Sequence, residues 1–210
     1  MKAIRLTDLR QLNEHAKLGG VLFTGSSLME QFPICEYCMD AGIDEIVYNR
    51  GIGGYDTDEF LAAIDTQLFD LAPSKIFINI GTNDFKARED GSDWEEHLLT
   101  NYEKILEQIR TRLPEAEVIM LAYYPVNEHM PEDKKSPWTD VALSIRTNEA
   151  LKRVNSKVCA LAEKFGYQFV NANAGLTDEN GDLKQEYTVE GIHMHAAAYR
   201  QVFENIKHLI

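Results

Sequence analysis

A serine, a run of glycines, an asparagine and a histidine occupy four short blocks of this chain. They are Phe23-Thr24-Gly25-Ser26-Ser27-Leu28, Asn49-Arg50-Gly51-Ile52-Gly53-Gly54, Gly81-Thr82-Asn83-Asp84 and Glu190-Gly191-Ile192-His193. Brought into one crevice, they supply the parts for acyl transfer: a nucleophile, donors for a developing oxyanion, and a general base. A serine hydroxyl is a weak nucleophile alone, and an isolated Gly-Ser-Ser ahead of a helical pattern reads first as a helix cap. The glycines let a ligand approach the backbone but match neither phosphate fingerprint, G-x-x-x-x-G-K-S/T or G-x-G-x-x-G. The Asn83 amide can donate to an oxyanion without changing protonation state, and Asp84 beside it suits the ordering of a turn. Glu190 stands three residues before His193, close enough to hold one ring nitrogen and stabilise an imidazolium. His195, two residues further on, has no evident partner.

For these blocks to meet, the elements between them must place them at one edge of a sheet. Val21–Thr24, Ile46–Asn49, Lys75–Ile80, Val118–Ala122 and Tyr167–Val170 are short, β-branched and apolar, as strands covered on both faces are. Helical patterns run from Thr57 to Leu71 with Pro73 beyond, and from Trp94 to Leu113 between a Ser92 cap and Pro114. Two more run from Val141 to Phe165 and from Ala196 to Ile210. Strand–helix alternation predicts an α/β fold: a three-layer, flavodoxin-like sandwich with a five-stranded parallel sheet in the order 2-1-3-4-5. Ligands of such sheets bind at the carboxyl ends of the strands, where the first three blocks begin.

With those blocks in place, the chain resembles the SGNH hydrolases, the GDSL-type esterase and lipase superfamily, and within it the platelet-activating-factor acetylhydrolase-like branch. The likeness spans nearly the whole chain, residues 1–210, as a single domain. Gly25-Ser26-Ser27-Leu28 stands where the family has Gly-Asp-Ser-Leu, which implies that Ser27 is the nucleophile. By the same resemblance Gly54 donates its backbone N–H, Asn83 donates its side-chain amide, and the Ser27 N–H completes the oxyanion hole. His193 is then the base and Glu190 its carboxylate partner. Two positions depart from the family pattern: Ser26 replaces an aspartate, and Glu190 replaces the aspartate of Asp-x-x-His.

Composition narrows the partners. The 210 residues are 44% hydrophobic and 26% charged, enough for a substantial core, and carry a formal net charge of −13. That sign disfavours nucleic acid. No apolar run approaches the ~20 residues of a membrane span, and the opening residues lack the apolar region of a secretory signal. Of the three cysteines, Cys35 and Cys38 have C-x-x-C spacing, but no second cluster completes a metal shell. A reduced, cytoplasmic protein with no metal or organic cofactor is expected, and the sequence does not separate monomer from homodimer.

The expected activity is hydrolysis of a small-molecule carboxylic ester through an acyl-enzyme. With no long apolar insertion to form a lid, short acyl groups are favoured, such as acetyl on a sugar or small alcohol. Lysophospholipase or thioesterase activity is the enzymatic alternative, and an inactive flavodoxin-like binding module the alternative of another class. Tyr55, Tyr123, Tyr124, Pro125, Asn127, His129 and Trp138 fall in or near loops, where they could shape a pocket or anchor the core.

Overall fold

The computed structural model describes residues 1–210. Five parallel strands, β1 (Val21–Gly25), β2 (Val47–Asn49), β3 (Lys75–Asn79), β4 (Glu117–Leu121) and β5 (Gln168–Val170), pair in the order β2-β1-β3-β4-β5. This is the sheet expected from the sequence, with strand ends moved by a residue. The helices are α1 (Lys2–Asn13), α2 (Ser27–Glu30), α3 (Ile34–Asp40), α4 (Thr57–Ala62), α5 (Ile64–Gln67), α6 (Trp94–Arg112), α7 (Thr139–Leu143), α8 (Asn148–Phe165) and α9 (Ala196–Ile206).

Successive strand side chains point to opposite faces, so each strand feeds two cores. Leu22, Ile76, Ile78, Val118 and Met120 pack on one face with Phe60 of α4, Leu98 and Ile105 of α6, and Val154 and Val158 of α8. Val21, Phe23, Phe77, Ile119 and Leu121 pack on the other with Ile34 and Tyr37 of α3 and Tyr199, Val202 and Phe203 of α9. Phe23 and Phe77 are register partners on β1 and β3, and their rings stack at 4.4 Å. Truncating such a fully buried ring costs about 3–5 kcal/mol, so this pair helps fix β1 in place.

Several helices differ from their sequence patterns. The apolar face from Thr57 to Leu71 is cut into α4, α5 and a 3-10 turn, Phe69–Leu71. Side chains claim the carbonyls that a continuous helix would use. Asn13 donates to the Thr66 carbonyl at 2.9 Å, and Thr24 to the Gln67 carbonyl at 2.9 Å. The buried Gln67 amide in turn donates to Gly25 and Arg50, tying this turn to the ends of two strands.

Ser92 does not cap α6. Asp93 does, its carboxylate accepting the Glu95 and Glu96 N–H groups, while the Ser92 hydroxyl donates to Asp90. The stretch from Val141 to Phe165 is broken between α7 and α8, where Thr147 caps α8 by accepting the Ala150 N–H. The last helix passes into a 3-10 turn at Lys207. Helix α1 buries only Leu9 and Asn13, too narrow a stripe to give a periodic signal in the sequence.

Candidate active site

The chain turns sharply where β1 delivers Ser27. Gly25 has φ +149°, and a β-carbon there would lie 1.9 Å from the Asn79 carbonyl oxygen, so only glycine fits. Ser26 follows at the N-cap position, and Ser27 opens α2, half-exposed at the carboxyl end of the sheet. Ser26, which stands where the family has aspartate, is fully buried and its hydroxyl has no partner.

The His193 Nε2 lies 3.0 Å from Ser27 Oγ, across 166 residues of sequence. On the other side of the ring, Nδ1 lies 2.7 Å from Glu190 Oε1, and the same oxygen accepts the His193 backbone N–H at 3.0 Å. The block is a tight loop, not a helical turn. The Thr188 hydroxyl accepts the Gly191 N–H and donates to the His193 carbonyl, while a bridge joins Thr188 to Met194. Burial pushes the Glu190 carboxyl up, but hydrogen bonds from the His193 ring and backbone outweigh it and hold the group below its ordinary value. An ionised carboxylate at Nδ1 leaves Nε2 as the proton acceptor facing the hydroxyl, the geometry general-base activation needs.

The loops after β2 and β3 close the other side. Asn49 accepts the Gly51 N–H at 2.9 Å and donates to the Met29 and Phe32 carbonyls. Glu30 accepts the Gly53 N–H at 2.7 Å and pairs with Arg5. Both hold this loop against α2; a β-carbon on Gly53 would sit 3.7 Å from that of Ser27. Gly54 has φ +76°, and neither its N–H nor that of Ser27 is used by a protein acceptor. Asn83 lies in a 3-10 turn after β3 and donates to the Tyr55 carbonyl at 2.9 Å. Its Oδ1 accepts from Arg146 at 3.0 Å.

Asp84 fixes this turn against α4 and not through local hydrogen bonds, accepting the Thr57 N–H at 3.0 Å and the Thr57 hydroxyl at 2.5 Å. Burial raises its carboxyl to about 6, against the lowering pull of those Thr57 bonds.

All five residues singled out from sequence, Ser27, Gly54, Asn83, Glu190 and His193, thus lie at the carboxyl end of the sheet or on the loop facing it. Of the pocket candidates, Tyr55, Tyr123, Tyr124 and Asn127 are buried and serve the core; Tyr123, for instance, donates to the Ile80 carbonyl. Trp138 does reach the site, its ring edge-on to His193 at 5.6 Å. Cys38 is buried on α3, whereas Cys35 is exposed, and both are free thiols. His195 is exposed at the start of α9. Glu30 and Arg146 carried no sequence signal, since a lone charged residue in a helix or loop reads as a solvated surface position.

Residues 34–201 match the GDSL-like Lipase/Acylhydrolase family. The chain belongs to that family. It is an ester hydrolase. The match takes in the Asn83 and His193 blocks, and the preceding Ser27 segment is joined to them by its contact with His193. A solved structure from Streptococcus pneumoniae, assigned provisionally as a platelet activating factor, is 32% identical with a TM-score of 0.84, covering 99% of this chain and 92% of its own. The platelet-activating factor acetylhydrolase IB subunit alpha1 of Bos taurus is 23% identical over 192 residues, 90% of this chain and 74% of that protein. An acetyl xylan esterase, AlAXEase, shares the fold of this GDSL-like hydrolase at 12% identity and TM-score 0.70, over 90% of this chain and 98% of its own. No helix is long and apolar enough to cross a membrane.

Proposed function

We propose that this hydrolase is a serine esterase that removes short acyl groups, acetyl foremost, from a sugar or small alcohol. The observation that carries the reading is the relay from Ser27 Oγ through His193, at 3.0 Å and 2.7 Å, to a buried Glu190. Ser27 attacks the ester carbonyl as His193 Nε2 takes its proton. Glu190 holds the imidazole and stabilises its charged form. The tetrahedral oxyanion is met by the N–H groups of Ser27 and Gly54 and the Asn83 amide, donors each worth about 3–4 kcal/mol in comparable sites. His193 then protonates the leaving alcohol and later activates the water that frees Ser27.

Short acyl groups are favoured by the shape of the surface. Five clefts lie elsewhere on the surface, one of them lined by Leu151, Asn155 and Phe169, and Ser27, Asn83 and His193 line none of the five. Deacetylation also accords with the names of two relatives, an acetylhydrolase and an acetyl xylan esterase. The half-exposed Trp138 beside His193 offers a stacking face for a sugar or the rim of an acyl site.

The test is hydrolysis of p-nitrophenyl esters of increasing acyl length. A kcat/KM that is highest for acetyl and falls steeply beyond butyryl is expected. Rates that climb with chain length would overturn the short-acyl reading in favour of a lysophospholipase or thioesterase.

A further inference from the structure

Arg146 is a buried guanidinium that no carboxylate pairs. It is 8% exposed, its Nε has no partner, and no acidic side chain lies within ion-pair distance. It sits on the break between α7 and α8, just ahead of the Thr147 cap, and donates one side-chain hydrogen bond, from Nη2 to Asn83 Oδ1. An unpaired cation is costly to bury, and its burial here needs a use.

We infer that Arg146 is a positioning residue that locks the Asn83 amide with its N–H toward the oxyanion. The two ends of an asparagine amide are nearly the same size, and a flipped Asn83 would present its oxygen where a donor is needed. Both neighbours forbid the flip. A guanidinium can only donate, so Oδ1 must face Arg146; the Tyr55 carbonyl can only accept, so Nδ2 must face Tyr55. One amide hydrogen is thereby spent on Tyr55, and the second is left for substrate. The cation behind Oδ1 also polarises the amide and makes that hydrogen a stronger donor. Burial pulls the guanidinium down to about 10, against the raising pull of Asp84 and Glu190, so it stays charged at neutral pH.

This inference rests on the esterase reading and is tested by a double-mutant cycle on p-nitrophenyl acetate, using Arg146→Met and Asn83→Ala. With Asn83 present, Arg146→Met should lower kcat about tenfold or more with KM little changed, because a transition-state donor is lost. With Asn83→Ala already in place, the same change should have almost no further effect. Arg146→Lys, which keeps a charged donor, should recover part of kcat. An equal loss in both backgrounds would overturn the inference and assign the effect to Glu190 or to packing. An unaltered kcat would overturn it too. If Arg146→Met does not fold by circular dichroism, Arg146→Gln, whose neutral amide both donates and accepts and so cannot fix the orientation of Asn83, takes its place in the cycle and is read the same way. Failure of the esterase reading is distinct: it shows as turnover that survives Ser27→Ala.

Discussion

Glu190 Oε1 receives two hydrogen bonds from one residue, from the His193 ring at 2.7 Å and from the His193 backbone N–H at 3.0 Å. The carboxylate thus reaches both the ring and the backbone of His193 within a tight loop pinned at Thr188. Glu190→Gln should keep the fold but lower kcat by about 10²–10⁴, since an amide can neither fix the tautomer nor stabilise the imidazolium. Glu190→Asp should lose less. Steady-state kinetics on p-nitrophenyl acetate distinguish the three proteins; equal rates in Glu190→Gln would remove the carboxylate from the relay.

Acidification should switch the enzyme off by one proton. Glu190 is held ionised below its ordinary range, so its carboxylate persists as the solution is acidified, and acid acts instead on the general base, which must be unprotonated to work. A plot of log kcat/KM against pH is expected to fall with unit slope on that side. A slope of two, or no fall, contradicts a single histidine base.

Asp84 gives a stability prediction of opposite sense to an ordinary ion-paired carboxylate. Its folded pKa, about 6, lies above the unfolded value, so the native state binds the extra proton. That contribution is fully present below the unfolded pKa and is lost as pH rises through about 6. Denaturant midpoints measured from pH 4 to 7 should therefore show a downward component that Asp84→Asn removes. An unchanged pH dependence in the variant would place the titration elsewhere.

Much of this site is legible in the sequence, for a physical reason. Parallel strands buried on both faces are continuous apolar runs, and Ser27, Gly54 and Asn83 each follow one within a few residues, so their placement comes from local pattern, whereas Glu190 and His193 stand on the loop ahead of α9. The capping and helix breaks are not local. Ser92 and Asp93 are both good caps by type, and only the competing Asp90–Ser92 bond decides between them. The break after α5 depends on Asn13 and Thr24, distant in sequence, claiming helix carbonyls. Glu30 and Arg146 acquire their roles only when loops from different strands converge.

Gly25→Ala should unfold or severely destabilise the protein, because its β-carbon would meet the Asn79 backbone at 1.9 Å, in a conformation L-residues avoid. A thermal melt suffices, and a midpoint within a few degrees of wild type would show that β1 can move.

Trp138 differs in kind: exposed by 43% and set against His193, it should matter to substrate more than to fold. Trp138→Ala is expected to raise KM for aryl and sugar esters while the melting midpoint stays nearly constant. A large fall in the midpoint with KM unchanged would make it a structural residue.

Every step of the proposed hydrolysis depends on Ser27 as a nucleophile activated by His193. Its most direct test is covalent: incubate the protein with a fluorophosphonate, measure the intact mass, and map the adduct by peptide fragmentation. A single adduct on Ser27, lost in Ser27→Ala and greatly slowed in His193→Ala, is the predicted result. No adduct on a folded protein that still hydrolyses p-nitrophenyl acetate, or an adduct on another residue, would contradict it.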